Sequence, residues 1–152
     1  MKRKSSSRKK LLKIVGQHYL KNVPAFTQNR CIYCGDIQQE TDHVPAITWL
    51  YAFGTDYFLN KKIVPQLVPS CSRCNKWLSD KPYHSIRQRK GFISSMLRDF
   101  SRRLANTPRW QDWELAEMGP RLGSIVRDLE AVKAYLARRE EWANSIFPWD
   151  EV

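Results

Sequence analysis

The sequence predicts an α+β protein, in which a small core of two strands and one helix is flanked by helices on both sides. Two Cys-x-x-Cys pairs, Cys31/Cys34 and Cys71/Cys74, bracket a segment of 36 residues. Two short extended segments lead into the second pair, and apolar residues before and after this stretch recur at helical spacing. The chain has 152 residues, a length that favours one domain with a modest core.

The cysteines indicate a structural zinc site. Two thiolates two residues apart can bind zinc from a tight turn, and two such pairs, Cys31/Cys34 and Cys71/Cys74, complete a closed tetrahedral site. Gly35 suits the turn after the first pair. The alternatives are disulfides or free buried cysteines. The basic N-terminus lacks the apolar segment of a signal peptide. We therefore expect a cytoplasmic, intracellular protein with reduced thiols, which favours zinc.

The segment between the cysteine pairs predicts a ββα unit. Residues 37–44 and 63–68 read as strands ended by prolines, although a proline inside the second weakens it as a central strand. A helical turn follows from Asn75. Asp42 and Asn75 then lie at a strand end and a helix start, and their oxygens suit Mg²⁺ or Mn²⁺. In a regular strand His43 faces away from Asp42, so a local bend is needed for both to serve one site.

The order C-x-x-C-G, D-H-V, L-V-x-x-C-x-x-C-N over residues 31–81 resembles the HNH, or ββα-metal, endonuclease family. The resemblance implies a DNA endonuclease that leaves 5′-phosphate and 3′-hydroxyl ends. It implies that His43 is the general base, which deprotonates the attacking water. It also implies that Asp42 and Asn75 bind one catalytic Mg²⁺ or Mn²⁺ ion, which stabilises charge on the phosphate and the leaving oxygen.

Two positions depart from the family pattern. Many members carry an asparagine where this chain has Gln66, and a lysine where it has Leu78. A backbone carbonyl could orient His43 instead of that asparagine. Simpler interpretations also exist for the site residues: the Asp-His pair as a surface hairpin pair, and Asn75 as a helix N-cap.

The charge distribution predicts a nucleic-acid partner, most simply double-stranded DNA. The net charge is +11, and Lys and Arg concentrate in residues 1–35 and 73–109, whereas residues 110–152 are acidic. Positive charge on both sides of the core is typical of a protein that binds a phosphate backbone. A membrane surface could attract the same charge. We predict no membrane partner, and the aromatic segment 46–60 is too interrupted to span a bilayer. The predicted nucleic-acid contacts are Arg73, Lys76, Lys81, Arg87, Arg89 and Lys90. His84 is either a solvated residue or a third ligand or phosphate contact.

We divide the chain into a basic N-terminal arm and helix (1–30), the nuclease core (31–81) and a helical C-terminal region packed on it (82–152). Residues 1–10 are expected to be disordered, as a solubilising tail or a DNA-binding arm, with a helix over 8–21. Phe26 is expected to pack near the first cysteine pair.

Further along the chain, the pattern predicts a short helix at 47–53 followed by a turn and an extended piece. The aromatic side chains of this segment serve core packing or, alternatively, base stacking. Three helices are predicted next: one over 82–105, in which Gly91 marks a kink or a close contact, a short one from Trp110, and one over 120–144. The last two are expected to pack on the first, or to dimerise.

A second hypothesis is a zinc-stapled nucleic-acid-binding module without catalysis. Asp42, His43 and Asn75 discriminate between the two, because a binding module does not need these three as a set. A third is a junction-resolving or RNA-cutting nuclease on the same core. Phosphate contacts position a protein without specifying sequence, so base specificity stays open.

Overall fold

A computed structural model describes residues 3–21 and 28–147, with side chains described from residue 7 onward. It confirms a mixed α+β fold, with seven helices and a small three-stranded sheet in the described residues. In chain order the elements are α1 (Arg3–Val15), a 3₁₀ turn (Gly16–His18), β1 (Leu20–Lys21), β2 (Glu40–Val44), α2 (Ile47–Phe53), α3 (Thr55–Asn60), β3 (Gln66–Ser70), α4 (Ser72–Leu78), α5 (Ile86–Ala105), α6 (Asp112–Glu117) and α7 (Gly119–Asn144).

The sheet has the strand order β1-β3-β2. β2 and β3 are the two predicted strands, but each is shorter than predicted and β3 begins and ends later. They pair antiparallel in one continuous register, from Glu40 opposite Ser70 to Val44 opposite Gln66. β1 was not predicted, and it pairs parallel with β3. The central strand therefore leads directly from the sheet into the second cysteine pair and α4.

The main core lies where the cysteine turns, β2, β3 and the long C-terminal helices meet. Its members are buried apolar side chains and the four cysteines: Cys31, Ile32, Tyr33, Cys34, Val44, Val68, Cys71, Cys74, Leu78, Ile86, Ile93, Leu97, Leu136 and Ala143. A second cluster joins α1, α2 and α3 through Val15, Tyr19, Ile47, Leu50 and Phe58. As predicted, α7 packs along α5, whereas α6 packs mainly against α7 rather than on α5.

Several helix boundaries differ from the predicted ones. α1 already begins at Arg3, in the stretch predicted to be disordered, and it ends at Val15, because the chain then turns to form β1. α3 is helical where an extended piece was predicted. α5 begins at Ile86 rather than at residue 82, because Ser85 forms a capping box with Gln88. Phe26 falls outside the described residues.

The α5 helix runs without interruption through Gly91. A Cβ atom at Gly91 would meet no other atom within 4 Å, so no close contact requires a glycine there. Among the described helices, none combines the length and the apolar character that crossing a bilayer requires.

Candidate metal centre and candidate active site

The four cysteines converge on one buried point. Cys31 and Cys34 belong to the turn before β2, Cys71 follows β3 directly, and Cys74 lies in α4. Their Sγ atoms all lie within 4.8 Å of one another, and those of Cys34 and Cys71 are 3.7 Å apart. Zn–S bonds of about 2.3 Å give a tetrahedral edge of about 3.8 Å. The four cysteines could therefore hold a zinc ion, as the sequence predicts.

The backbone around the cysteines has the form of two tight turns. The Gly35 amide donates to the Cys31 carbonyl over 2.9 Å, and Gly35 has a φ of +71°, a conformation that favours glycine. In the second turn the Cys74 amide donates to the Cys71 sulfur over 3.4 Å. Hydrogen bonding with Cys31 lowers the pKa of Cys34 and of Cys71 and raises the pKa of Cys74, and burial raises the pKa of Cys31. A metal requires all four thiols in the deprotonated form, so its binding would release protons.

A buried arginine from the C-terminal helix faces the same sulfur atoms. The Nη2 atom of Arg139 lies 3.1 Å from Cys34 Sγ, 3.7 Å from Cys71 Sγ and 3.8 Å from Cys74 Sγ. Burial alone would lower the pKa of Arg139, but the charge of Cys34 and its hydrogen bond raise it. A lone guanidinium buried against neutral thiols would lack a compensating charge. This contact was not predicted, because Arg139 stands more than 60 positions from the nearest cysteine in the sequence.

Asp42 lies on the inner face of β2 and is held by two groups. Its Oδ2 atom accepts a hydrogen bond from the Tyr33 hydroxyl and another from Arg89 Nη1, both at 2.6 Å. Arg89 comes from α5, and its Nε also donates to the Tyr83 carbonyl over 2.8 Å. Both charged side chains are almost completely buried. In this arrangement the Asp42 carboxylate is paired with a cation rather than open to a metal.

His43 points to the opposite face of β2, where its ring meets the edge of Tyr19 with 4.9 Å between centroids. The continuous register leaves β2 without the bend that would bring Asp42 and His43 to one side. The Nδ1 atom of His43 is buried and has no hydrogen-bond partner among the described residues. Burial lowers the pKa of His43, so its imidazole is neutral at pH 7.

Asn75 lies in the second turn of α4 and donates from Nδ2 to the carboxylate of Glu40. The N-cap of α4 is Cys71, so Asn75 does not have the capping role of the simpler interpretation. The structure thus joins Asn75 to Glu40, and not to Asp42 as the predicted magnesium site requires. Glu40 was missed, although its place two residues before Asp42 puts both on the same face of β2.

His84 is partly exposed and lies among aromatic side chains. Its ring packs against Trp49 and Phe58, with centroids 5.3 and 5.2 Å away, and its Nδ1 has no partner in the described part of the chain. Burial lowers its pKa, and the charge of Arg89 adds to this. Phe58 is fully buried, in agreement with core packing, but the other aromatic side chains of this segment are partly exposed. Gln66 is buried in β3, opposite Val44.

The predicted nucleic-acid contacts divide into two groups. Arg73, Lys76, Lys81 and Arg87 are exposed, as a phosphate contact requires. Arg89 does not present an exposed charge, because its guanidinium is buried against Asp42. Lys90 is likewise buried, and its Nζ donates to the Ser145 carbonyl over 2.6 Å.

No protein-family model, curated protein or solved structure matches this chain. The resemblance to HNH endonucleases therefore depends on the motif alone, and the metal centre on the geometry of the four cysteines.

Proposed function

We propose that this chain is an HNH-type endonuclease that hydrolyses phosphodiester bonds in DNA, with His43 as the general base. The observation that carries this proposal is the state of His43. A neutral imidazole with one ring nitrogen unpaired can accept a proton from water. Burial keeps the ring neutral. The residue is only partly buried, so water can reach the ring, while its Nδ1 atom stays buried and unpaired among the described residues.

The frame around His43 also supports the proposal. β2 and β3 form an antiparallel pair, and β3 leads through Cys71 into α4, which contacts β2. This is the order of elements that the resemblance implies, with the cysteine cluster fixing the point where β3 becomes α4. Exposed Arg73 and Lys76 lie on α4 itself, so the same helix offers positive charge to a phosphate backbone.

The metal ligands of the proposed site differ from the predicted pair. Asp42 does not fit a metal while Arg89 holds its carboxylate, so Asp42 has no role in the proposed reaction. Glu40 and Asn75 are the oxygen-bearing side chains that meet near the start of α4. Carboxylate and amide oxygens suit Mg²⁺ or Mn²⁺, which when bound would neutralise charge on the scissile phosphate.

The second candidate is a zinc-stapled nucleic-acid-binding module without catalysis. The buried pairing of Asp42 with Arg89 favours it, because this pairing gives the aspartate a structural role and needs no metal. The exposed basic residues serve both candidates equally.

Cleavage of supercoiled plasmid with Mg²⁺ or Mn²⁺ distinguishes the candidates. We would compare the wild type with His43→Ala, and with His18→Ala as a matched control, because His18 is an exposed histidine of the 3₁₀ turn. The proposal expects nicked or linear product from the wild type and His18→Ala, and a loss of at least 100-fold for His43→Ala, in line with removal of a general base.

Equal cleavage by His43→Ala and His18→Ala would remove His43 as the base. DNA binding without cleavage by any variant, in zinc-loaded protein, would favour the binding module; the same assay on RNA and on branched DNA tests the third hypothesis. Glu40→Gln and Asp42→Asn then separate the two carboxylates. If Glu40 contributes to the metal site, Glu40→Gln raises the Mg²⁺ concentration needed for cleavage while zinc content stays unchanged.

A further inference from the structure

One face of α7 covers the first cysteine turn at three points. The Tyr135 hydroxyl donates to the Asp36 carboxylate, and Trp142 Nε1 donates to the Ile32 carbonyl over 3.1 Å. Trp142 also lies against Gly35 so closely that a Cβ atom there would come within 2.6 Å of the indole. Between these two residues on the same helical face stands Arg139. The helix is therefore fitted to the metal centre and not only to its partner helix α5.

Arg139 is the charged member of this face. It is buried, its ring neighbour is Tyr135 at 5.2 Å, and its polar contacts in the described residues are with sulfur. Its Nε and Nη1 atoms have no hydrogen-bond partner there. No carboxylate of the described residues forms an ion pair with it, so the cysteine sulfurs are the groups that can balance its charge.

A zinc ion with four thiolates carries a net charge of −2. One guanidinium within hydrogen-bond distance of a thiolate would reduce that charge to −1 at a site where the four cysteines and Arg139 are buried. We propose that Arg139 is the charge-compensating residue of the zinc centre, and that the docking of α7 on the cysteine turns depends on the metal. Zinc and the C-terminal helix then stabilise each other: the metal supplies the negative site that Arg139 needs, and Arg139 lowers the cost of burying four thiolates.

The test uses the full chain and measures zinc, not cleavage, so it is independent of the proposed nuclease activity. Arg139→Met removes the charge and keeps most of the apolar stem. Arg138→Met is the matched control, because Arg138 is the adjacent arginine and is exposed. Zinc affinity is measured by competition with a chromophoric chelator, and ligand geometry by the absorption of the Co²⁺-substituted protein.

We expect Arg139→Met to bind zinc 10- to 100-fold more weakly than Arg138→Met, the usual effect of removing a group that contacts metal ligands. Arg139→Lys should recover part of the affinity, since it restores the charge. Equal zinc affinity of the two methionine variants would overturn the proposal, and so would a wild type that binds no zinc.

Hydrogen exchange of the wild type covers the case in which Arg139→Met does not fold. In the zinc-loaded protein the amides of residues 132–144 should be protected. After removal of zinc by a chelator, they should exchange at least 10-fold faster, while the amides of α2 and α3, which lie in the other core cluster, change less. Unchanged protection of residues 132–144 without zinc would show that α7 docks independently of the metal, contrary to the proposal.

Discussion

The buried pair of Asp42 and Arg89 offers the sharpest test of the core, because the two residues are 47 positions apart in the sequence and join β2 to α5. Arg89→Met keeps the stem of the side chain and leaves the carboxylate buried beside the Tyr33 hydroxyl alone. Removing one partner of a buried ion pair costs about 3–5 kcal/mol. We expect a similar loss for Asp42→Asn, which leaves the Arg89 guanidinium without a negative partner.

The double variant separates the ion pair from the rest of the packing. If the two side chains act on each other, Asp42→Asn combined with Arg89→Met destabilises by less than the sum of the single losses, with a coupling of about 0.5–3 kcal/mol. Urea unfolding at fixed zinc concentration measures each free energy of unfolding. Arg87→Met is the control: it removes an exposed arginine from the same helix and should stay within about 0.5 kcal/mol of the wild type.

Two results would contradict this reasoning. Arg89→Met with the stability of Arg87→Met would mean that the carboxylate is solvated or paired elsewhere. Strictly additive losses in the double variant would mean that Asp42 and Arg89 do not interact. The same variants bear on function: if Arg89 withholds Asp42 from a metal, Arg89→Met should raise Mg²⁺-dependent cleavage by the protein that remains folded.

Three further predictions follow from single contacts. Gly35→Ala should lower the free energy of unfolding by about 2–3 kcal/mol, because a left-handed alanine costs roughly 1–2 kcal/mol and Trp142 must also move. Gly91→Ala is the control, since a Cβ atom there meets open space within α5. In the same urea measurement it should raise the free energy of unfolding by about 0.5–1 kcal/mol. Ser85→Ala should cost about 1 kcal/mol through loss of the α5 capping box, and Ser95→Ala, an exposed change in the same helix, should cost less. Folding lowers the pKa of His43 and of His84, so around pH 6.5 and below the unfolded chain binds more protons than the folded chain. The free energy of unfolding should therefore fall as the pH is lowered from 7.5 to 5.5. Urea midpoints at both pH values should show a smaller fall for His84→Gln than for the wild type, and equal falls would contradict the burial of His84.

The sequence predicted what depends on short-range pattern. The convergence of the cysteines follows from two turns with the same spacing, and the β2–β3 pair follows from two extended segments with prolines at their ends. The helices α5 and α7 follow from apolar residues at helical spacing. Each of these signals lies within a few residues of the element it predicts, so the fold class could be predicted without knowing what packs against what.

The electrostatic partners could not be predicted in the same way. In a sequence, Arg89 looks like its neighbour Arg87, and Arg139 looks like Arg138, yet the first of each pair is buried and the second exposed. The difference comes from which face of the helix meets the core, and this depends on contacts 47 and 105 positions away along the chain. For the same reason the short strand β1 was missed, because its pairing with β3 is long-range.

These two arginines change the role of the C-terminal helices. The core segment from Cys31 to Leu78 contains a buried carboxylate and four buried thiols, and among its described residues no buried cation is present to balance them. α5 supplies Arg89 to the carboxylate, and α7 supplies Arg139 to the sulfur atoms. The helices after the core therefore complete its charge balance from outside. A basic residue near a predicted nuclease core need not bind a phosphate backbone. Buried carboxylates and thiolates require buried cations as partners, and an arginine that fills this role is not exposed to DNA.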